Sequence, residues 1–351
     1  MRQLRDALAS ALPSSWSIVS QPEGKRGDKR VDAVMALTAP DGSTRTVLVE
    51  VKRIAEPRDV AAALRQLTAY QRSPDETLML VAPYLSPRAR ELLQEGGAGW
   101  FDATGNLRLQ LDRPAVFIDV AGASRNPFTD SEDRRLKSLK GPGAARVVRA
   151  LLDEKLPLGV RALADAADVG PATSSRVTDL LVREELITRD QAGRISAVQK
   201  RSLLRRWTAD YGINSSNQAV PMLASRGIEP VLNALQRYDG DYAITAEAAA
   251  RRYLPSETAA VAPLALLTLF VPDATDAAEA LSLRRAQRGA NVVLVEPFDS
   301  MVFQRSTQKE RLVYAAPSQV VADLLTGTAR APEQADALLD ALAANDRAWS
   351  Q

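Results

Sequence analysis

The chain has 351 residues, of which 46% are hydrophobic and 25% charged, and its formal net charge is +2. This composition is typical of a globular protein with roughly two or three domains, and the small net charge confines any nucleic-acid footprint to local patches. Histidine and cysteine are absent. Their absence excludes disulfides, cysteine–histidine zinc sites, thiol nucleophiles and Ser-His-Asp triads, so a catalytic metal ion would need oxygen ligands, which favours magnesium or manganese.

Residues 1–122 alternate between helical and strand-like patterns, which predicts an α/β domain. A polar, basic loop is expected at 21–30, and Asp41-Gly42 favours a hairpin turn between two strands. The predicted elements are helices at 2–12, 57–71 and 86–95, strands at 31–37, 46–52 and 77–82, and β segments at 100–111 and 115–120.

Two carboxylates and a lysine lie on neighbouring predicted strands. Asp32 is in the first strand, and Glu50 and Lys52 are in the second. Since side chains alternate along a strand, Glu50 and Lys52 share one face, and the hairpin turn brings Asp32 towards it. Two carboxylates beside a lysine suit a divalent cation and an activated water, so Asp32 and Glu50 are the candidate metal ligands.

This arrangement resembles the PD-(D/E)XK superfamily, whose fold is restriction-endonuclease-like. Gln66 and Tyr70 on the next helix are similar to the Gln-x-x-x-Tyr motif of its RecB-like and lambda-exonuclease-like branches, whereas Val31 stands where the superfamily has proline. The resemblance implies a Mg- or Mn-dependent nuclease site, and a nuclease-like fold without cleavage is the alternative. The implied catalytic residues are Asp32, Glu50, Lys52, Gln66 and Tyr70.

The segment 100–107 places Asp102 and Gly105-Asn106 around a short turn. These residue types build turns through side-chain hydrogen bonds to the backbone and through a positive φ at glycine. A structural role is therefore expected, and a recognition loop beside the carboxylates is the alternative.

Residues 123–143 are rich in glycine, serine, proline and charge, which indicates a linker. Residues 144–210 then predict three helices followed by two short strands around Ala192-Gly193, the plan of a winged helix-turn-helix domain. In such a domain the third helix, which here follows Gly170-Pro171, lies in the major groove of DNA.

Small hydroxyls and basic residues follow the start of that third helix and continue through the hairpin into the next helix. Such side chains suit base and phosphate contacts, and Arg205 and Arg206 extend the basic run. A winged helix that contacts only proteins is the alternative. The candidate DNA-binding residues are Thr173, Ser174, Ser175, Arg176, Thr178, Arg189, Arg194, Lys200 and Arg201.

Residues 211–351 mix helices with strands at 266–271 and 291–298 and carry no catalytic signature. The last predicted helix has Ala335, Leu338 and Leu339 on one face. That face is either ordinary core or a dimer contact.

The motifs Tyr84-Leu-Ser-Pro-Arg88 and Phe101-Asp-Ala-Thr-Gly-Asn106, together with the segments 48–52, 242–255 and 291–303, are similar to bacterial proteins identified as AbiEi-family antitoxins of type IV toxin–antitoxin systems. The resemblance implies a DNA-binding transcriptional regulator that represses its own operon. The winged helix is central here, whereas in the better-known arrangement it is N-terminal. That departure leaves the existence of a toxin partner open.

The sequence therefore predicts an α+β multidomain protein in the cytoplasm with no membrane association. Its expected domains are a restriction-endonuclease-like α/β domain at 1–122, a linker at 123–143, a winged helix-turn-helix at 144–210 and a mixed α/β domain at 211–351. The first expectation is an antitoxin-like regulator that binds specific double-stranded DNA sequences and requires no cofactor. The alternative is a Mg- or Mn-dependent DNA nuclease, so enzymatic activity stays open, as do a homodimer and a toxin or other protein partner.

Overall fold

The computed structural model describes residues 1–26, 29–128, 136–254, 264–328, 330–346 and 349–350, with the side chains of 22–30 excluded. The predicted linker at 123–143 lies partly outside these residues, because 129–135 are not among them. The chain divides into two compact units, each with its own sheet. The first unit comprises 1–135 and 182–185, and the second comprises 136–181 and 186–351.

The first unit is a mixed α/β structure with three described helices and seven described strands. The helices are α1 (Arg2–Ala11), α2 (Pro57–Tyr70) and α3 (Pro87–Glu95). The strands are β1 (Ser17–Arg26), β2 (Lys29–Thr38), β3 (Thr44–Val51), β4 (Thr77–Ala82), β5 (Gly99–Asp102), β6 (Leu107–Leu111) and β7 (Val116–Val120).

The seven strands form one sheet in chain order. The pairs β3–β4 and β4–β5 are parallel, and the remaining neighbours are antiparallel. The predicted Asp41-Gly42 turn between β2 and β3 is confirmed, with φ +83° at Gly42. The loop predicted at 21–30 is wrong, since 21–26 belong to β1 and 29–30 to β2. A polar sequence is compatible with a strand at the sheet edge as well as with a loop, so polarity alone did not distinguish the two.

Each face of this sheet is covered by helices, because the apolar side chains of the strands alternate between two cores. Val47 and Val49 join the core under α1, and Leu48 joins the core under α2 and α3. Val51 does not continue the buried row, since it is 38% exposed. Because side chains alternate along a strand, Glu50 lies on the same face of β3 as Leu48, which is the face covered by α2.

The second unit is also mixed α/β. Its helices are α4 (Pro142–Asp153), α5 (Val160–Ala166), α6 (Pro171–Arg183), α7 (Lys200–Thr208), α8 (Ile213–Ser216), α9 (Ile228–Leu235), α10 (Ala246–Tyr253), α11 (Ala274–Ala280), a 3₁₀ turn (Ser300–Phe303), α12 (Pro317–Leu325) and α13 (Ala331–Asn345). Its strands are β8 (Ile187–Arg189), β9 (Ile195–Val198), β10 (Gln218–Leu223), β11 (Ala243–Thr245), β12 (Leu267–Phe270), β13 (Arg284–Arg285), β14 (Val292–Glu296), β15 (Thr307–Lys309) and β16 (Leu312–Tyr314).

The large sheet of this unit has the order β13-β10-β14-β12-β11-β16-β15, and β8 and β9 form a separate antiparallel hairpin. Three helices, α4 to α6, precede that hairpin, as the sequence predicts. The predicted boundary at 210/211 falls inside this unit. Ala335, Leu338 and Leu339 of α13 are fully buried within the chain, so this face is core and is not available as a dimer contact.

A buried polar network joins several elements of the second unit. Asp323 of α12 accepts hydrogen bonds from the Tyr211 hydroxyl (2.6 Å), the Gln319 amide (2.8 Å) and the Thr245 hydroxyl (2.5 Å). The Gln319 carbonyl in turn accepts from the guanidinium of Arg149 on α4 (2.7 Å). Burial raises the pKa of Asp323 to about 6, against the smaller lowering effect of these donors. Burial beside this carboxyl also raises the pKa of Tyr211 well above its ordinary value.

Among the described residues, no helix combines the length and the apolar character needed to cross a membrane.

Candidate active site and nucleic-acid interface

Asp32 and Glu50 lie on the adjacent antiparallel strands β2 and β3. The register pairs Ala33 with Val49, which places the two acids next to each other at the end of the ladder. The Asp32 carboxylate accepts a hydrogen bond from the backbone N–H of Val51 at 2.7 Å. Asp32 is exposed, whereas Glu50 is 5% exposed. One carboxylate is thus anchored to the neighbouring strand and the other is held in the interior.

Lys52 contacts the buried carboxylate directly. Its Nζ donates to Glu50 Oε1 at 2.6 Å, and its backbone N–H donates to the Val81 carbonyl at 2.8 Å. The second bond continues the pairing of β3 with β4 and fixes the backbone from which the lysine extends. The Lys52 side chain is 29% exposed, so its ammonium group joins the buried acid to the solvent-facing side of the site.

Helix α2 adds a third contact to the same carboxylate. Gln66 Nε2 donates to Glu50 Oε1 at 3.4 Å. The helix begins with a capping box, in which Glu56 and Asp59 satisfy each other's backbone N–H groups, followed by Pro57 at its first position. Tyr70, one turn beyond Gln66, is partly buried against the core under α2. The structure therefore brings together Asp32, Glu50, Lys52 and Gln66.

The donor set suits a hard divalent cation. Two carboxylates from adjacent strands are the oxygen ligands that Mg²⁺ and Mn²⁺ prefer, and Mg²⁺ usually completes its shell with water. Within the described part of the chain, no group of three or more acidic, histidine or cysteine residues is placed to hold a metal ion. A bound ion at Asp32 and Glu50 would accordingly keep several water ligands, which is the form that can supply an activated water.

Asp102 and Asn106 build the turn after β5, as the sequence predicts. Both are fully buried. The Asp102 carboxylate accepts from the backbone N–H groups of Leu85 (3.0 Å) and Thr104 (2.9 Å) and from the Asn106 amide (2.8 Å). The Asn106 carbonyl accepts from Arg90 (2.5 Å) and from the Gly122 N–H (2.8 Å). Because these groups are consumed by internal bonds, the segment stabilises the fold and does not read a ligand.

The hydroxyls of α6 divide into two classes. Ser174 and Thr178 are fully buried, and they donate to the carbonyl oxygens of Val160 (3.0 Å) and Ser174 (2.9 Å). They cannot reach DNA bases from these positions, so their inclusion in the DNA-binding set is corrected. Thr173 and Ser175 are partly exposed and Arg176 is exposed. The outward face of α6 thus keeps three of the expected contacts.

The basic residues of the hairpin are paired with nearby acids. Arg189 contacts Asp179 of α6 at 2.9 Å, and Arg194 contacts Asp190 at 2.8 Å. Bonds from the Arg194 backbone and side chain lower the pKa of Asp190. Exposed pairs of this kind contribute little to stability, so a phosphate can replace the acid.

The basic residues of α7 are paired with acids, three of which lie far away in sequence. Lys200 contacts Asp346 at 2.9 Å and lies over the Trp349 ring at 4.9 Å, and Arg201 contacts Asp340 of α13. The Lys200 and Arg201 side chains are only 11% and 21% exposed. Two further pairs follow, Arg205–Asp336 and Arg206–Asp210. Most of the positive charge expected of this helix is therefore neutralised within the unit.

The acids on α13 are the partners that sequence reasoning missed. Asp336 and Asp340 are four residues apart and share one face of the helix. That spacing is visible in the sequence, but it does not indicate which basic helix the face meets more than 130 residues earlier in the chain.

Comparison with known proteins reveals little similarity. No protein-family model and no curated protein matches the chain. Among solved structures, "Structure of EndoMS in apo form" is similar to it, with 16% sequence identity and a TM-score of 0.19. The match covers 29% of this chain and 45% of that chain, so this chain spans less than half of the length of the structure it matches.

Proposed function

We propose that the first unit is a Mg- or Mn-dependent DNA nuclease domain of the PD-(D/E)XK type. The observation that carries the proposal is the convergence of Lys52 and Gln66 on the buried carboxylate of Glu50, beside Asp32 on the next strand. A solvated strand edge needs none of these contacts. A buried acid held by a lysine and an amide, next to a second acid, suits metal-assisted phosphodiester hydrolysis.

Each residue has a distinct role in this proposal. Asp32 and Glu50 would hold a divalent ion, which would supply positive charge near the phosphate and an activated water. The Lys52 ammonium group, which lies 2.6 Å from Glu50, contacts the phosphate in place of Glu50 when DNA is bound, and it stabilises the negative charge that develops on the phosphate. Gln66 orients the Glu50 carboxylate through its amide. Tyr70 supports α2 from the core side.

The second candidate function is a DNA-binding transcriptional regulator, antitoxin-like and acting on its own operon. The observation that favours it is the outward face of α6, where Thr173, Ser175 and Arg176 remain accessible after three helices and before a hairpin. It ranks second because Lys200 and Arg201 already satisfy their charges internally. A toxin partner belongs to this candidate alone.

The nuclease proposal is tested by incubating duplex DNA with the protein in Mg²⁺, Mn²⁺ or EDTA. Wild type is expected to cut with either ion and not in EDTA, and Glu50→Gln is expected to lose the cutting. Lys309→Ala, which removes an exposed lysine of the second unit, is the control and should cut like wild type. Equal cutting by Glu50→Gln and wild type would reject this site.

The regulator candidate is tested with Arg176→Ala. If Arg176 reads a base, the variant loses more affinity for a selected binding site than for random duplex, by about 1–3 kcal/mol. Equal losses on both duplexes, measured by fluorescence anisotropy at one salt concentration, would remove Arg176 from base recognition.

A further inference from the structure

The free edge of the large sheet in the second unit carries four arginines. Arg284 and Arg285 form the edge strand β13, and Arg226 and Arg288 lie in the turns after β10 and β13. Strand β13 pairs with β10 through Leu223–Arg284 and Met222–Arg285. We refer to Arg226, Arg284, Arg285 and Arg288 together as the arginine edge.

The two turns that present these arginines are tied to each other by Asn291. Its side-chain amide donates to the Ala224 carbonyl at 3.0 Å, and its side-chain carbonyl accepts from the Ala224 N–H at 2.8 Å. Backbone bonds from Ala286 to Pro221 and from Asn291 to Met222 close the second turn onto β10. The turns are thus held by backbone and amide groups, which leaves the arginine side chains uncommitted.

All four arginines are exposed. Among the residues that the structure describes, none of them makes an ion pair or a side-chain hydrogen bond. The sequence between Glu279 and Glu296 contains no acid. Glu229, the acid that follows Arg226 in the chain, likewise forms no described ion pair with it. This edge differs in that respect from α7, where each cation has an acidic partner.

We propose that the arginine edge binds the sugar–phosphate backbone of duplex DNA. Uncommitted guanidinium groups bind phosphate without first breaking an internal pair, and they bind it bidentately. The large apolar residues beside them, such as Met222 and Leu283, are buried, and no large apolar side chain is exposed in 222–229 or 282–291. A protein partner would need apolar anchors there. The choice of DNA as the bound polyanion rests on the proposed function, whereas the location of the binding surface is inferred from the four arginines of the arginine edge.

The test measures affinity for a short labelled duplex of mixed sequence in EDTA, so that cleavage does not intervene. The edge variant carries Arg→Gln at 226, 284, 285 and 288. A matched control carries Arg→Gln at 2, 65, 72 and 237, which are also exposed and uncommitted among the described residues, so both proteins change by the same net charge. Circular dichroism confirms that both are folded.

The edge variant is expected to lose at least about tenfold in affinity at 0.1 M salt, and the slope of log K against log salt is expected to flatten by about three to four units, since each phosphate contact contributes about 0.9. The control should stay within about one unit of wild type. If the two variants behave alike, or if wild type binds no duplex at low salt, the arginine edge is not a DNA surface.

The two proposals fail separately. If wild type binds duplex through the arginine edge but does not cut it with Mg²⁺ or Mn²⁺, the nuclease proposal is contradicted and the arginine-edge proposal stands. If wild type cuts duplex DNA but the edge variant binds it as the control does, the arginine-edge proposal is contradicted and the nuclease proposal stands.

Discussion

Replacing Asp323 with asparagine removes a fully buried carboxyl while keeping its size. The amide carbonyl can still accept from the Tyr211 hydroxyl and the Gln319 amide, and the amide N–H₂ can donate to the Thr245 hydroxyl, so the network keeps its shape. What the variant loses is the ionisation. The change therefore isolates the free energy that is needed to charge this carboxyl in the interior.

The direction and the size of the pH effect on the free energy of unfolding follow from the pKa of Asp323. Burial raises the pKa of Asp323 from 3.8 to about 6 in the folded chain. Between these values the folded state holds a proton that the unfolded state has lost, so the free energy of unfolding falls as pH rises. Over this window of about two pH units the loss amounts to about 3 kcal/mol, at about 1.4 kcal/mol per unit. Below about pH 4 the contribution is fully present, and above about pH 6 it is gone.

The assay is urea unfolding of wild type and Asp323→Asn at several values from about pH 4 to about pH 7. Trp207 stacks on Tyr211 at 4.7 Å and provides the fluorescence signal for this unit. The stability of wild type relative to the variant should fall by about 3 kcal/mol across this range. Asp273→Asn is the control, because helix-cap bonds lower the pKa of Asp273, so this carboxyl is ionised in both states over most of the range and its wild-type-to-variant difference should stay nearly constant. A wild-type-to-variant difference that stays constant with pH would refute the reasoning.

Two further predictions concern particular contacts. Gly122→Ala would place a Cβ 2.4 Å from the Thr104 carbonyl oxygen and 2.5 Å from the Asn106 nitrogen, both backbone atoms. Thermal unfolding should show a loss of about 3 kcal/mol or more, whereas Gly141→Ala, which meets nothing within 4 Å, should cost less than about 1 kcal/mol. Arg201→Ala should leave the salt slope of DNA binding unchanged, since this side chain is committed to Asp340; a slope flatter by about one unit would restore it as a phosphate contact.

Local pattern was enough to predict most of the first unit. The alternation from Val47 to Glu50 and the turn at Asp41-Gly42 predict β3 and its hairpin with β2, and the helical spacing after Pro57 predicts α2. These elements are specified by residues close in sequence. The contact between Gln66 and Glu50 spans 16 residues within a strand–helix unit, and it came within reach only through the resemblance to a known motif.

Long-range electrostatics could not be predicted. The basic run from Arg189 to Arg206 has one acid within it, Asp190, and the sequence therefore indicates an open positive surface. In the structure the acids of α13 meet α7 from more than 130 residues away. The burial of Ser174 and Thr178 was missed for a similar reason, because a small hydroxyl that bonds to a backbone carbonyl, of Val160 for Ser174 and of Ser174 for Thr178, packs inward as readily as it faces solvent.

The most direct measurement of the central claim reads DNA shift and DNA cleavage in the same samples of wild type and Lys52→Ala, with and without Mg²⁺ or Mn²⁺. Because Lys52 contacts Glu50 and is partly exposed, the account predicts that metal-dependent cutting is lost in the variant while the shift is retained. A shift of equal size in both proteins, with no cutting by wild type in either metal, would contradict it and leave a DNA-binding regulator on a nuclease-like fold.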